Sequence, residues 1–417
     1  MDFELTPAQE ALRLRARELA DGTFRERAAR WDAQEQYPWD NVKDLVRAGF
    51  MGLTIPREYA GPAASILDVL LVVEEIARVC GVTARIVVEG SLGVVGALAA
   101  YGSEAQKRRY FPWVLDGDKP AIAITEPEAG SAATDMVTRA DEAPEGYALH
   151  GEKRWITGAG TSRLYLVYCR MSRAAGAAGI GGIFLERDTP GFRIGDRDHT
   201  MGLRGIPEGR LHFDGCRVPK DHVLVGPPEG FKQLMQAYNS QRLGAATVAL
   251  GLAQGAYEQA LAYAGRRRQF GRAIGEFQGI RWKLADMAIR LDAARLLIHR
   301  AAANARDGFP DALESAKAKT FGGDGAGGDR PGAADPRSGR VRARAAARAD
   351  GTGRTHVLHR RRHGGDDAQP DRRSRDADAV GFSEVNRPSP CPLPGGEGNE
   401  EEGLLQWCRK GSWNSMK

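Results

Sequence analysis

The sequence lacks lysine and glutamate between residues 322 and 380, although this stretch contains thirteen arginines and nine aspartates. Protein surfaces use both basic residues and both acidic residues, so neither folding nor binding explains such a bias. Alanine, glycine, arginine, proline and aspartate share GC-rich codons, and the bias begins abruptly after Phe321. We therefore predict a selected, folded sequence to about residue 320, followed by a tail at 322–417 that was translated from a slipped reading frame.

Cysteine is scarce, and the five cysteines form no CxxC pair, lying at Cys80, Cys169, Cys216, Cys391 and Cys408. This spacing predicts reduced thiols and excludes both a disulfide framework and a zinc site. The first residues have no basic segment followed by an apolar one, so we expect no signal peptide. The apolar stretch at 66–73 contains Asp68 and is too short to cross a bilayer. We expect a cytoplasmic protein with no membrane partner.

Aromatic and large apolar residues are almost absent from the tail. Through residue 380 its large apolar side chains are limited to Val341, Val357, Leu358 and Val380. So little apolar surface cannot offset the entropy lost on ordering a chain, which predicts disorder. The net charge of +5 owes much to this tail. Its arginines have no interleaved aromatic residues that could stack on bases, so we expect no nucleic-acid partner.

The pattern of apolar residues divides the rest of the chain into three predicted domains. Residues 1–120 have helical spacing, and Thr6 is a predicted N-cap before Pro7. Short apolar runs separated by Gly, Pro and Asp predict a β-barrel-like middle domain at 121–227. Helical spacing returns at 228–321 and predicts a C-terminal helical bundle that lacks its last helices. The fold class is therefore α+β.

Three separated motifs stand out. Residues 124–131 have the sequence Ile-Thr-Glu-Pro-Glu-Ala-Gly-Ser, and Trp155-Ile156-Thr157 begins thirty residues after Thr125. Arg268-Gln269-Phe270-Gly271 and Gln278 lie in the second helical region. Together these motifs resemble those of the acyl-CoA dehydrogenase family of FAD-dependent flavoproteins, and the resemblance covers residues 3 to about 320. It implies an acyl-CoA substrate, an electron-transfer flavoprotein as acceptor, and a homotetramer with a dimer as its minimum unit.

The resemblance also implies a set of binding residues. A flavin requires hydrogen-bond donors at one edge of its ring and an apolar wall behind it. The FAD contacts implied by the motifs are Ile122, Ile124, Thr125, Gly130, Ser131, Trp155, Ile156, Thr157, Arg267, Gln269, Phe270, Phe277 and Gln278. The residues from Arg267 onward would reach the cofactor of a neighbouring subunit, although the family commonly has threonine where this chain has Gln269. The implied acyl-CoA contacts are Ser131, Tyr238, Asn239 and Arg242.

The implied reaction is α,β-dehydrogenation of an acyl-CoA to a 2-enoyl-CoA, which needs a glutamate to take the α-proton. Most family members place it in a C-terminal loop, and a minority place it at the position of Gln241, where an amide cannot accept the proton. We therefore predict that no catalytic residue is present and that the chain is inactive as written. A one-base shift over residues 360–369 permits Gly-Gly-Gly-Thr-Ala-Glu-Met-Met-Arg-Asn, in which the lost glutamate would straddle Gly365 and Asp366.

Two alternatives remain open from the sequence. A flavin-dependent monooxygenase on the same scaffold would use oxygen in place of an external electron acceptor. A non-catalytic acyl-CoA-binding protein would agree with the missing base. Flavin content and oxygen consumption distinguish these alternatives from the dehydrogenase.

Overall fold

The computed structural model describes residues 4–325. The tail beyond residue 325, with its predicted disorder and the slipped-frame glutamate near Gly365, lies outside the described residues. Within them the chain forms a helical segment, a sheet and a second helical segment, in the predicted order.

The helical segment that precedes the sheet begins with the predicted cap. The Thr6 hydroxyl accepts a hydrogen bond from the Gln9 backbone N–H at 3.2 Å, and Pro7 is the first helical residue. A second capping box joins Ser65 to Asp68 at the start of α4. The helices are α1 Pro7–Leu19, α2 Arg25–Gln34, α3 Trp39–Ala48, α4 Ile66–Ala77, α5 Gly81–Ser91, α6 Val94–Tyr101 and α7 Glu104–Leu115, with a π-helical turn at Ala20–Phe24 between α1 and α2.

Helices α5 and α6 form the most apolar part of this segment. By length and composition, Gly81–Tyr101 would suffice for a membrane span, a possibility that the shorter apolar stretch at 66–73 did not indicate. Of the most apolar 18-residue stretch in this range, 83% is buried inside the protein. Its apolar residues are therefore those of a core helix pair. Gly93, with φ of +60°, separates the two helices and is the N-cap of α6.

The middle segment is a mixed eight-stranded sheet. Its strands are β1 Ala121–Ala123, β2 Arg139–Ala143, β3 Gly146–Thr157, β4 Leu164–Arg170, β5 Ile180–Glu186, β6 Phe192–Asp198, β7 Glu208–Pro219 and β8 Val223–Val225. The strand order is β6-β7-β3-β2-β4-β5-β8, and β1 pairs in parallel with β4. The β3–β7 ladder shifts register between Lys153 and Ile156, and Trp155 in that interval has a φ of +54°. Such a bulge re-aims a side chain out of the regular alternation.

The second helical segment contains α8 Gly230–Arg266, the short strands β9 Arg268–Gln269 and β10 Arg272–Ala273, α9 Gln278–Ala303 and α10 Ala312–Gly325. The helical pattern predicted from the sequence ends at Phe321, but α10 continues four residues further. A β-carbon at Gly322 would lie 3.2 Å from the β-carbon of Ala246, so the glycine lets α10 lie close against α8.

Helix α8 lies equally close to the end of α4. A β-carbon at Gly255 would lie 2.0 Å from the carbonyl oxygen of Arg78, and backbone atoms cannot move aside cheaply. We expect Gly255→Ala to lower the free energy of unfolding by about 2 kcal/mol, within the range for overpacked cores. Urea denaturation measures the change. Gly265→Ala is the control: it meets nothing within 4 Å, and we expect a gain of up to about 1 kcal/mol from helix propensity. Equal stability of the two variants would contradict the close contact.

The three described cysteines, Cys80, Cys169 and Cys216, are unpaired and buried, in agreement with the predicted reduced thiols. Burial raises the pKa of each thiol, that of Cys169 to about 12. Since the thiolate is the reactive form, none of them is a nucleophile near neutral pH.

Candidate functional site

A cleft open to solvent lies where the ends of β1 and β3 meet α5 and α8. The lining residues are Arg85, Glu89, Leu92, Val94, Pro120, Ile122, Ile124, Thr125, Trp155, Ile156, Thr157, Tyr238 and Gln241. Side chains from both helical segments and from the sheet therefore converge on one space.

One side of the cleft suits a flat aromatic ring. Ile122, Ile124 and Ile156 give it an apolar wall. The hydroxyl of Thr125 has no hydrogen-bond partner among residues 4–325, whereas that of Thr157 donates to Glu208 at 3.1 Å. The strand bulge sets Trp155 at the margin, where the Arg154 guanidinium lies 4.6 Å from its ring. An apolar wall with a few polar groups is what an isoalloxazine ring needs, so these residues fit the expected flavin.

A buried ion pair fixes the two strand ends that form this wall. The Lys153 ammonium donates to Glu126 Oε1 at 2.7 Å and to the carbonyl of Ile124 at 2.9 Å. Glu126 also accepts from the backbone N–H groups of Val137 at 2.7 Å and Thr138 at 3.0 Å. Both charged side chains are almost fully buried. The pair therefore joins the residues on either side of Thr125 to the strand that carries Trp155.

A chain of three charged side chains forms another corner of the cleft. Arg85 Nε donates to Glu89 Oε1 at 2.9 Å, and the Lys119 ammonium lies 2.5 Å from Glu89 Oε2. The two terminal nitrogens of Arg85 have no partner among residues 4–325. These three side chains carry a net charge of +1, and the buried carboxyl group of Asp118 also interacts with the Lys119 charge. Charge interactions are strong in such a partly dry site.

Helix α8 contributes Tyr238 and Gln241 to the cleft. Gln241 is 5% exposed, and its amide has no hydrogen-bond partner in the described part of the chain. A β-carbon at Gly93 would lie 2.8 Å from Gln241 Oε1, so a larger residue at position 93 would displace the Gln241 amide. Beside it, Arg242 Nη1 donates to Asn239 Oδ1 at 2.5 Å, and the guanidinium lies 5.4 Å from the Tyr238 ring.

The structure brings many of the predicted site residues together in the cleft, namely Ile122, Ile124, Thr125, Trp155, Ile156, Thr157, Tyr238 and Gln241. Other predicted residues do not line it: Gly130, Ser131, Asn239, Arg242, Arg267, Gln269, Phe270, Phe277 and Gln278. The last five belong to a surface hairpin at residues 267–278, where Phe270 is 94% exposed. Arg272 lies over the ring of Phe277 at 4.3 Å, and Phe277 packs edge-on against Phe270. Their assignment to a cofactor of another subunit stays a prediction.

The charged corner was not predicted from the sequence. Arg85 and Glu89 are four residues apart in a helix whose other residues are mostly apolar, and that isolated pair was the available signal. Lys119 carried no comparable signal, because it stands beside Asp116 and Asp118 in what resembles an ordinary polar loop.

Comparisons with known proteins agree with this arrangement. Sequence profiles of the N-terminal, middle and C-terminal domains of acyl-CoA dehydrogenases match residues 6–118, 121–216 and 228–326. A 3-sulfinopropanoyl-CoA desulfinase of Cupriavidus necator is 49% identical over 325 residues, which are 76% of this chain and 82% of that protein. The butyryl-CoA dehydrogenase structure from Megasphaera elsdenii superimposes with a TM-score of 0.75 at 31% identity, covering 78% of this chain and 86% of that one. The FAD complex of PigA gives 0.74 at 25% identity, with coverages of 78% and 86%.

Proposed function

The chain belongs to the acyl-CoA dehydrogenase family, and we propose that it acts on a short acyl-CoA whose acyl chain ends in an anion. The substrate that fits best is 3-sulfinopropanoyl-CoA, from which the enzyme would remove the sulfinate group. The proposal revises the expectation of a dehydrogenase that has lost its base. It rests on the polar groups that the cleft presents and on the desulfinase relative.

The observation that carries the proposal is the Arg85 guanidinium in the cleft, which is bonded to Glu89 through Nε alone. Among residues 4–325, the cleft also offers no base for an α-proton. Gln241 is an amide, and both oxygens of Glu89 are engaged by cations. α,β-Dehydrogenation requires a free carboxylate near the α carbon. Cleavage of a carbon–sulfur bond at the β carbon has no such requirement, and an amide at position 241 is compatible with it.

The charged corner supports an anionic acyl end. The terminal nitrogens of Arg85 are available on the cleft side, and a guanidinium binds a two-oxygen anion through paired hydrogen bonds. A sulfinate placed there would accept hydrogen bonds from these nitrogens. A saturated hydrocarbon end would leave them partly desolvated without a partner, which is costly.

The proposed reaction balances without an external oxidant. The bond between the β carbon and sulfur breaks, and a C–H bond forms at that carbon with a proton from water. The remaining hydroxyl of the water joins sulfur, so the products are propanoyl-CoA and hydrogen sulfite. The carbon keeps the electron pair of the broken bond and sulfur is oxidised by the same two electrons. No electron-transfer flavoprotein is consumed in such a turnover.

FAD is the cofactor of this family, and Thr125, Trp155 and Thr157 with the isoleucine wall would hold its ring. When bound, FAD supplies a two-electron acceptor, which dehydrogenation uses in each turnover and carbon–sulfur cleavage does not. The residues of the chain then bind the thioester, keep water from the ring face and hold the acyl anion.

One experiment distinguishes the proposed reaction from dehydrogenation. The FAD-loaded full chain is mixed without oxygen with 3-sulfinopropanoyl-CoA or with butanoyl-CoA, and sulfite and flavin absorbance are followed. We expect sulfite from the first compound and no rapid bleaching by the second, since no cleft residue among residues 4–325 can remove its α-proton. Rapid bleaching by butanoyl-CoA without sulfite from the sulfinate would favour the dehydrogenase. Binding of both compounds without either signal would favour a non-catalytic binding protein, and oxygen consumption would favour the monooxygenase.

The slipped reading frame is part of the proposal. The C-terminal family match ends at residue 326, close to where lysine and glutamate disappear. The aligned part of the desulfinase relative is 82% of its length. Sequencing the gene around codons 315–375 tests the idea, and the absence of a one-base shift that restores family-like sequence would end it.

We also propose a homo-oligomer. Three large apolar side chains of α9, Trp282, Ile289 and Leu296, are exposed at seven-residue intervals. Such a spacing keeps them on one face of a helix, and exposed apolar stripes are usual at subunit interfaces. A second copy of the chain is the partner implied by the family. Sedimentation of a monomer at micromolar concentration would contradict this proposal.

A further inference from the structure

We infer that Lys119, which lines no part of the cleft, sets its preference for anionic acyl groups by occupying one oxygen of Glu89. The inference rests on the proposed function, since it concerns how the same site recognises its substrate. Lys119 is thus a positioning residue that acts through Glu89 on Arg85.

The charge that Arg85 presents to the cleft depends on how Glu89 is paired. Arg85 Nε is bonded to Glu89, so a simple Arg85–Glu89 pair would be neutral and would attract an anion weakly. Lys119 removes that neutrality because it binds the second oxygen of the same carboxylate at 2.5 Å. The three groups together then carry one positive charge, and the cleft exposes it only through the terminal nitrogens of Arg85.

The backbone around Lys119 accommodates its buried side chain. This side chain is 1% exposed, which is rare for lysine unless a partner compensates its charge. A β-carbon at Gly158 would lie 2.4 Å from Lys119 Nζ and 2.5 Å from Ser162 Oγ. Gly158 has a φ of +91°, a conformation that favours glycine. The loop after the cleft-lining Thr157 is therefore shaped to admit a buried ammonium, which a purely hydrophobic core would not need.

A role for Lys119 in fold stability alone makes a different prediction. If the ion pair were only structural, disturbing it would lower the affinity for every acyl-CoA to the same extent. A charge-setting role predicts that charged and neutral ligands respond differently, and that the response follows the net charge of the corner. Two variants with different structural damage but equal net charge should then behave alike.

The experiment uses two CoA thioesters of matched chain length. Succinyl-CoA carries a carboxylate where the proposed substrate carries a sulfinate, and butanoyl-CoA carries a methyl group there. Each is titrated into the FAD-loaded full chain, and the change in flavin absorbance gives its Kd. The preference for the anion is the ratio of the two Kd values.

We expect Lys119→Met, which lowers the net charge of the corner by one, to reduce the anion preference about tenfold, as loss of one nearby charge in a partly dry site predicts. The Kd of butanoyl-CoA should stay nearly constant. The double variant Lys119→Met with Glu89→Gln has the same net charge as the wild type, and the side-chain oxygen of the introduced glutamine remains an acceptor for Arg85 Nε. Its anion preference should return to within about threefold of the wild type, a small change on the scale of tenfold per 1.4 kcal/mol.

Three results would overturn the inference: an unchanged preference in Lys119→Met, an equal loss of affinity for both ligands, or no recovery in the double variant. If Lys119→Met is insoluble, Lys119→Gln takes its place with the same expected loss, since glutamine keeps a donor for Glu89. A wild type that does not prefer succinyl-CoA would contradict the proposed function itself. Failure of the Lys119 inference can therefore be distinguished from failure of the proposed function.

Discussion

Replacing Lys153 by methionine is expected to lower the free energy of unfolding by about 3–5 kcal/mol, the cost of leaving one member of a buried ion pair without its partner. Glu126 would remain in a site that excludes water, with only the N–H donors of Val137 and Thr138 to compensate its charge. Guanidinium denaturation followed by circular dichroism measures the loss.

The pH dependence of that loss follows from the state of Glu126 in the folded protein. Burial by itself raises the pKa of its carboxyl group, but the charge and hydrogen bond of Lys153 and the backbone donors outweigh it and hold the pKa below its usual range. A carboxyl with a lowered folded pKa contributes stability above its unfolded value, about pH 4.3, and loses it as the pH falls through the folded value. The gap between wild type and Lys153→Met should therefore narrow in acid.

Two controls define the Lys153 prediction. Lys232→Met removes the same side chain at a site that is 82% exposed, where its ammonium lies 3.4 Å from Glu229. We expect this change to lower the free energy of unfolding by less than about 0.5 kcal/mol. Lys153→Met combined with Glu126→Gln should recover much of the lost stability, because the two neutral side chains leave no unpaired charge in the protein interior. Equal effects at positions 153 and 232 would show that the pair contributes little.

Replacing Arg85 by methionine is expected to weaken binding of succinyl-CoA at least thirtyfold, which corresponds to about 2 kcal/mol for the loss of one partner from a desolvated charge pair. Butanoyl-CoA should bind as well as before or better, since the charge that its methyl end faces is gone. Sulfite release from 3-sulfinopropanoyl-CoA should fall in kcat/KM by a similar factor.

Arg85→Lys refines the Arg85 prediction. Lysine keeps the charge but lacks the planar fork, and it cannot both satisfy Glu89 and offer two nitrogens to a ligand. We expect an intermediate loss. Arg47→Met, at a side chain that is 76% exposed and does not line the cleft, controls for the change in total charge. If Arg85→Met weakened both thioesters equally, Arg85 would be a structural residue and the anionic substrate would lose its main support.

The isoleucine-lined side of the cleft brings together residues that the sequence motifs had grouped, because those motifs are local. The motif after β1 and the Trp-Ile-Thr motif at the end of β3 are short segments whose neighbours in sequence are their neighbours in space. The order of helical, sheet and helical segments was also predicted, because the apolar spacing changes from helical to short apolar runs and back. The end of α10 was missed because glycine normally predicts a helix end, whereas Gly322 is required there by close packing against α8.

The charged corner could not be predicted in the same way. Lys119 stands thirty-four residues beyond Arg85 and meets Glu89 only because α5 and the chain after α7 come together in the fold. A single sequence does not record which distant charges are buried as partners. The environment of Gln241 depends likewise on Gly93, which a long-range contact alone reveals.

Helix α8 separates the cleft residue Gln241 from the hairpin at 267–278. Gln241 lies near its first turns and the hairpin at 267–278 follows its last residue, so the two are about 38 Å apart at 1.5 Å per residue. No side chain extends over such a distance. If the hairpin contacts FAD as the family resemblance implies, we therefore expect FAD to bind between two molecules and to be released when the protein is diluted.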